Sequence, residues 1–189
     1  MSEDVASGDI EEVELTSLQN TLEDTVYGCN QVPLLVDPTG LAGTYLKYRS
    51  SHVLMSSGGI PIDQGPDLRR HFLKCLQSGH ILFLDYDTSA VSLNFIEEQQ
   101  SLVPRYLDRT SLFMEKSLND YITEHDLKDG MFVPNDAFFI VMATRNEDLS
   151  GLSDEQRNHI RVLRITNLEE RDSSKPKPKA LNAEQRRAR

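Results

Sequence analysis

The sequence predicts an α/β domain of three layers, with a mostly parallel sheet and helices on both of its faces. Three observations carry that expectation. Nearly continuous apolar runs stand at Val32-Pro33-Leu34-Leu35-Val36, at Ile81-Leu82-Phe83-Leu84 and at Phe138-Phe139-Ile140-Val141-Met142-Ala143, as strands buried on both faces of a parallel sheet require. Stretches with helical spacing separate them, the pattern of strand–helix–strand units. Right-handed crossovers then distribute the helices over the two faces.

The elements follow in chain order. The run at 32–36 is stopped by Asp37-Pro38, which reads as a strand and its turn, with a short helix after it. His52-Val53-Leu54-Met55 is a second, weaker strand. Residues 66–78 give the clearest helix: Pro66 suits a first helical position, Asp67 favours the first turn, and Gly79 can supply the C-terminal cap. Leu68, Phe72, Cys75 and Leu76 recur at helical spacing and share one face. Cys75 there reads as a small core residue, with a redox role as the alternative. His80-Ile81-Leu82-Phe83-Leu84-Asp85 is the next strand. Residues 91–107 and 110–124 are partly helical in spacing, as at Leu112, Leu118 and Ile122. Asp129-Gly130 reads as the turn of a hairpin whose second arm is Met131-Phe132-Val133. Beyond the strand at 138–143, Ser153-Asp154-Glu155-Gln156 has the form of a capping box opening a short helix. Ile160-Arg161-Val162-Leu163-Arg164-Ile165 alternates and closes the folded region as a strand.

With 189 residues, the chain is the size of one domain with extensions. The 38% of hydrophobic residues is low for a compact domain, so part of the chain is expected outside the core. Residues 1–24 carry eight acids and no base, whereas 171–189 carry seven bases, including the Lys-Pro-Lys-Pro-Lys run at 175–179, against two acids. The division expected is an acidic, disordered N-terminus at 1–14, a folded module at 15–170 and a basic, disordered tail at 171–189. The tail reads as a solvated end or as a patch for an acidic partner. A net charge of −10 argues against a general electrostatic grip on nucleic acid. No apolar run approaches the roughly 18 residues that cross a bilayer, and 1–9 is too polar for a signal peptide. Two distant cysteines, Cys29 and Cys75, suggest a reducing compartment and no zinc spacing.

The turn after the first strand is the most informative place. A phosphate-binding loop follows a buried strand as G-x-x-x-x-G-K-[ST]. The corresponding residues are Pro38-Thr39-Gly40-Leu41-Ala42-Gly43-Thr44-Tyr45. Pro38 replaces the first glycine and removes an N–H. Thr44 stands where lysine would neutralise the phosphates, and Tyr45 where Ser or Thr would hold Mg²⁺. The stretch is either a glycine-containing turn or a degenerate phosphate loop. Asp85 ends an apolar strand as a cation-holding acid of the Walker-B type does, or as a simple strand-end acid. The next position, where a hydrolytic module carries glutamate, is Tyr86. Asp87 would point to the opposite face of an extended strand. Thr144-Arg145-Asn146 follows a buried strand, where Asn146 could serve as a sensor residue or as loop polarity. His52, His71, His80, His125 and His159 are scattered and form no metal motif, and Ser56-Ser57-Gly58-Gly59 is no nucleophile elbow.

Together these stretches resemble dynein heavy chains. Val32-Pro33-Leu34-Leu35-Val36-Asp37-Pro38 with Gly43-Thr44-Tyr45-Leu46-Lys47 is similar to the "PLLIDPQ…WIK" segment that opens the fifth AAA+ module of the motor ring. Leu18-Gln19-Asn20-Thr21 resembles the "SIQNG" lead-in, and Gly79-His80-Ile81-Leu82-Phe83-Leu84-Asp85 the "GKPLLLEN" strand. The stretch from Phe138 to Asn146 resembles "FRLYLTTKLPNP", and Ile165-Thr166-Asn167-Leu168-Glu169 the "NFTVTPSGLE" exit. The likeness is colinear from about residue 15 to 170. Thr39 for Gln, Tyr45 for Trp and Glu147-Asp148 for Asn-Pro mark a divergent member or a short isoform.

The resemblance implies an AAA+-like three-layer domain acting as a non-catalytic, structural module of microtubule-based motor machinery, in the cytoplasm and cytoskeleton or in a cilium or flagellum. Its implied partners are other dynein-type AAA+ modules or dynein complex subunits. Microtubules are contacted only indirectly, and neither nucleic acid nor membrane is involved. No cofactor is expected, ATP binding being weak or absent. Any residual nucleotide contact would fall on Gly40, Gly43, Thr44, Asp85 and Asn146, with no catalytic residue and no metal. Two rival readings stand beside this one. A weak nucleotide-binding protein or hydrolase would need a displaced lysine such as Lys47, and an adaptor would use the basic tail.

Overall fold

The computed structural model describes residues 10–49, 53–55, 65–88, 91, 109–114, 122–123, 126 and 131–166. Six strands form one sheet: β1 (Glu11–Glu14), β2 (Val32–Val36), β3 (Val53–Met55), β4 (Ile81–Asp85), β5 (Phe139–Thr144) and β6 (Ile160–Thr166). Their order is β1-β6-β2-β5-β4-β3, and every pair is parallel. The described helices are α1 (Leu18–Glu23), which runs into a π-helical turn at Asp24–Gly28, then α2 (Leu41–Arg49), α3 (Gly65–Ser78), α4 (Arg109–Leu112) and α5 (Asp154–Asn158).

Side chains alternate across each strand, so a sheet covered on both faces divides its apolar residues into two cores. Leu34 and Val36 of β2, Leu82 and Leu84 of β4 and Ile140 and Met142 of β5 meet Phe72, Cys75 and Leu76 of α3 and Leu112 of α4. The intervening residues Leu35, Phe83, Val141 and Ala143 meet Leu18 and Leu22 of α1 and Ala42 and Leu46 of α2. The molecule is therefore a three-layer α/β domain, with α3 and α4 on one face of the sheet and α1 and α2 on the other. Phe72 and Phe138 meet edge to face, with centroids 5.4 Å apart, in the first core.

The local signals hold where apolar spacing is strong. α3 places Pro66 in its first turn, and Gly79 follows it with φ +70°, a conformation that favours glycine. Ser153 caps α5 in a complete capping box with Gln156.

Three expectations change. Glu11–Glu14, assigned to an acidic extension, is a strand at the edge of the sheet. Val13 is buried, and Arg161 of β6 holds Glu11 and Asp24 at 2.6 and 2.9 Å. Long-range pairing makes this strand, against the low β-propensity of Glu. Met131-Phe132-Val133 makes no strand beyond an isolated bridge at Met131. Pro134 lacks an N–H, and Asn135 instead donates to Leu76 O at 2.8 Å and packs against Gly79, closing the end of α3. Asp87 is not in an extended strand. It lies in a turn at φ +52°, its N–H bonded to Asp85 Oδ1 at 2.8 Å. The proposed turn at Asp129-Gly130 lies outside the described residues, as do 92–107 of the helical spacing at 91–107, 115–121 and 124 of that at 110–124, and residues 1–9 and 167–189. Among the described residues no helix is long and apolar enough to cross a membrane.

Candidate functional site

In an open parallel sheet the loops that can form a site lie at the carboxyl ends of the strands, where the strand order reverses. Here β2 is that point: β5, β4 and β3 lie on one side of it and β6 on the other. The three stretches singled out in the sequence follow β2, β4 and β5, which are adjacent, so the fold gathers them at one edge. Backbone bonds tie them together. Asp37 N–H donates to Thr144 O at 2.8 Å, Tyr86 N–H to Ala143 O at 2.8 Å, and Arg145 N–H to Asp87 O at 2.6 Å.

The loop between β2 and α2 is organised by Asp37, whose side chain is buried. Its Oδ1 accepts from Thr39 N–H at 3.1 Å, Thr39 Oγ1–H at 2.6 Å and Gly40 N–H at 3.0 Å. Its Oδ2 accepts from Ala42 N–H at 2.7 Å. Leu41 N–H is 3.4 Å from Thr39 Oγ1. A phosphate bound between a strand and the following helix would use this set of N–H groups at the helix N-terminus. Asp37 supplies the anion from within the chain. A phosphate would have to displace charge-assisted hydrogen bonds and approach a buried carboxylate.

The same carboxylate sets where α2 begins. The helix starts at Leu41, so Gly43 and Thr44 lie inside it and not in a loop. Gly43 is buried, Thr44 is exposed, and Tyr45 packs partly against the second core. Lys47 lies in the second turn of α2, away from its N-terminus. Gly40 in this loop, at φ +69°, holds a conformation that favours glycine. The Arg145 guanidinium lies against it: a Cβ built on Gly40 would come within 2.7 Å of Arg145 Nη2. Arg145 also pairs with Asp87 at 3.2 Å, bridging the β2 and β4 loops.

The remaining candidates hold turns. Asp85 Oδ1 accepts from Asp87 N–H. Asn146 N–H donates to Thr144 Oγ1 at 3.0 Å, and its Oδ1 accepts from Asp148 N–H at 2.9 Å. Tyr86 is buried in the first core, where its hydroxyl has no hydrogen-bond partner among the described residues and burial pushes its pKa up. Among the described residues no group of three or more His, Cys, Asp or Glu side chains is placed to hold a metal ion.

The structure thus brings Gly40, Asp85 and Asn146 to one edge and sets Gly43 and Thr44 back in α2. Asp37 and Arg145, the two residues that most shape this edge, were not among the candidates. The signal for Asp37 was an Asp two positions before Thr39-Gly40, a pattern that lets a carboxylate bond its own backbone. Arg145 carried no local signal, because its partners come from two other loops. Comparison with protein-family models, with curated proteins and with solved structures finds no match to this chain.

Proposed function

We propose that this chain is a non-catalytic module of the dynein heavy chain-like AAA+ type, a structural component of microtubule-based motor machinery. The observation that carries the non-catalytic part is the Asp37 carboxylate, which occupies the N–H groups a nucleotide phosphate would need. Thr44 and Tyr86, at the positions of the phosphate-loop lysine and the Walker-B glutamate, agree with it: one is exposed on a helix and the other buried in apolar packing. The dynein part rests on the colinear resemblance described above. Three of its segments meet at the carboxyl edge of a parallel sheet, where a nucleotide-binding relative would hold its ligand. On this reading the module packs against neighbouring AAA+ modules or dynein subunits in the cytoskeleton, in cytoplasm or cilium, and meets microtubules only through them.

Calorimetry of the 189-residue protein with Mg-ATP should give no saturable heat at millimolar nucleotide. A micromolar affinity abolished by Asp85→Ala overturns the non-catalytic reading. Co-elution with a dynein ring fragment that lacks its fifth module tests the partner, and failure to co-elute counts against the motor assignment.

A further inference from the structure

The amino ends of β2 and β5 border a cleft at the opposite end of the sheet from the carboxyl edge. Val32 opens β2, and Phe139 opens β5 beside it. Between these strand ends and α4 lies a small cavity, open to solvent on one side. Its walls are mostly apolar, from Val26, Val32, Phe138 and Ile140 among others. The enclosed part measures about 20 Å³, far below the roughly 150 Å³ that accommodates a benzene ring. It takes a methyl or ethyl group and no larger body.

One part of the wall is charged. Arg109, the first residue of α4, lines the same cleft. Its guanidinium stands 4.8 Å from the centre of the Tyr27 ring and 4.9 Å from that of Phe113. The two rings fix its position by cation–π attraction but bring no counter-ion. Nη2 donates to the Asp136 carbonyl. Nε is closed off from solvent with no hydrogen-bond partner among the described residues. Among those residues no carboxylate pairs with the group. Glu23 and Asp136 act on neighbouring Tyr27 only through space. A cation short of a hydrogen bond and of a counter-ion, set beside an apolar wall, attracts an anion more strongly than it would in water. Nη1 is not closed off and can donate to that anion while Nη2 keeps Asp136. Guanidinium–carboxylate bonds are among the strong ones. Charge and shape together then specify the ligand. Inorganic phosphate would meet the cation and leave the apolar walls uncovered, whereas a hydrocarbon would cover the walls and leave the cation unpaired.

We propose that this cleft binds a monocarboxylate of two or three carbons, its carboxylate on Arg109 and its hydrocarbon end against Val26, Val32 and Ile140. The site is independent of the carboxyl edge and stands whether or not the motor reading does. Few atoms are buried, and Glu23 and Asp136 oppose the added charge, so the affinity belongs in the millimolar range. NMR of the full chain, following methyl groups and arginine Nε–H signals at fixed pH and ionic strength, tests it. Propionate should shift the signals of Val26, Val32, Ile140 and Arg109 saturably, with a Kd of roughly 1–10 mM. Propionamide has the same shape without the charge and should bind roughly tenfold more weakly, and propylamine should not bind. Arg109→Gln should abolish the propionate shifts. The ligand series on the unaltered protein decides the matter even if that variant fails to fold. Equal binding of propionate and propionamide overturns the proposal, as do propionate shifts confined to other parts of the chain or no saturable shift up to roughly 50 mM. Octanoate binding more tightly than propionate would place the ligand on an open apolar surface and overturns it as well.

Discussion

Replacing Asp37 by Ala removes the acceptor for the N–H groups of Thr39, Gly40 and Ala42 at once. Loss of a helix cap together with orphaned buried donors predicts a cost of about 2 kcal/mol, read as a lower urea midpoint at unchanged slope. Asp37→Asn, which keeps an oxygen acceptor, should recover part of it. Tyr86 gives the opposite outcome. Its buried hydroxyl has no partner among the described residues, so Tyr86→Phe should be neutral or stabilise by up to about 1 kcal/mol in the same measurement. The two cysteines separate by burial. Cys29 is exposed, whereas Cys75 is buried in the first core with its thiol pushed up to about 12 by desolvation. A thiol-reactive chromophore should therefore titrate one cysteine in the folded protein and the second only after denaturation. At this scale the sequence was legible where a residue acts through its own neighbours. Cys75 as a core residue was readable from helical spacing. The reach of Arg145 to Gly40 and Asp87 was not, because it depends on how three strands stack.

The elements divide in the same way. β2, β4 and β5 are legible as uninterrupted apolar runs, because a strand covered on both faces needs apolar side chains in both directions. β1 was not legible. Its sequence, Glu-Glu-Val-Glu, offers a single apolar residue, and β6 and Arg161 supply the rest of its stability. Helix α5 shows the legible kind at its smallest: Ser153→Ala removes one half of the capping box and should cost about 1 kcal/mol by denaturant unfolding. α3 is held by a contact the sequence does not signal, the Arg69–Asp126 pair at 2.5 Å. The hydrogen bond from Arg69, with further donors from Thr123, holds the Asp126 carboxyl well below the usual carboxylate range. A lowered folded pKa contributes stability above the unfolded value of about 4, and that contribution is lost as the pH falls below it. Asp126→Asn should thus cost about 1–2 kcal/mol at neutral pH. The gap to the unmodified protein should narrow steadily as the pH falls below about 4 when urea unfolding is followed down in pH.

At the scale of the whole molecule, the sheet is a partition between two cores that share strands but not side chains. Truncations on opposite faces should then leave one another's surroundings intact. Ile140 of β5 lies in the core under α3, and Ile165 of β6 in the core under α1 and α2. Each Ile→Val change removes one buried methyl group and should cost roughly 0.5–1.5 kcal/mol. The double variant should cost their sum to within about 0.5 kcal/mol, as independent sites do. Phe72 and Phe138 supply the contrast within one face. Their rings touch edge to face, so Phe72→Leu and Phe138→Leu should depart from additivity by about 0.5–1.5 kcal/mol, the worth of the ring pair beyond its burial. Four single variants and two doubles, unfolded in urea, close both cycles. Coupling between Ile140 and Ile165 as large as that between the phenylalanines would mean that strain crosses the sheet, and the domain would then behave as one core. Additivity across the sheet with coupling along it is what a three-layer architecture requires.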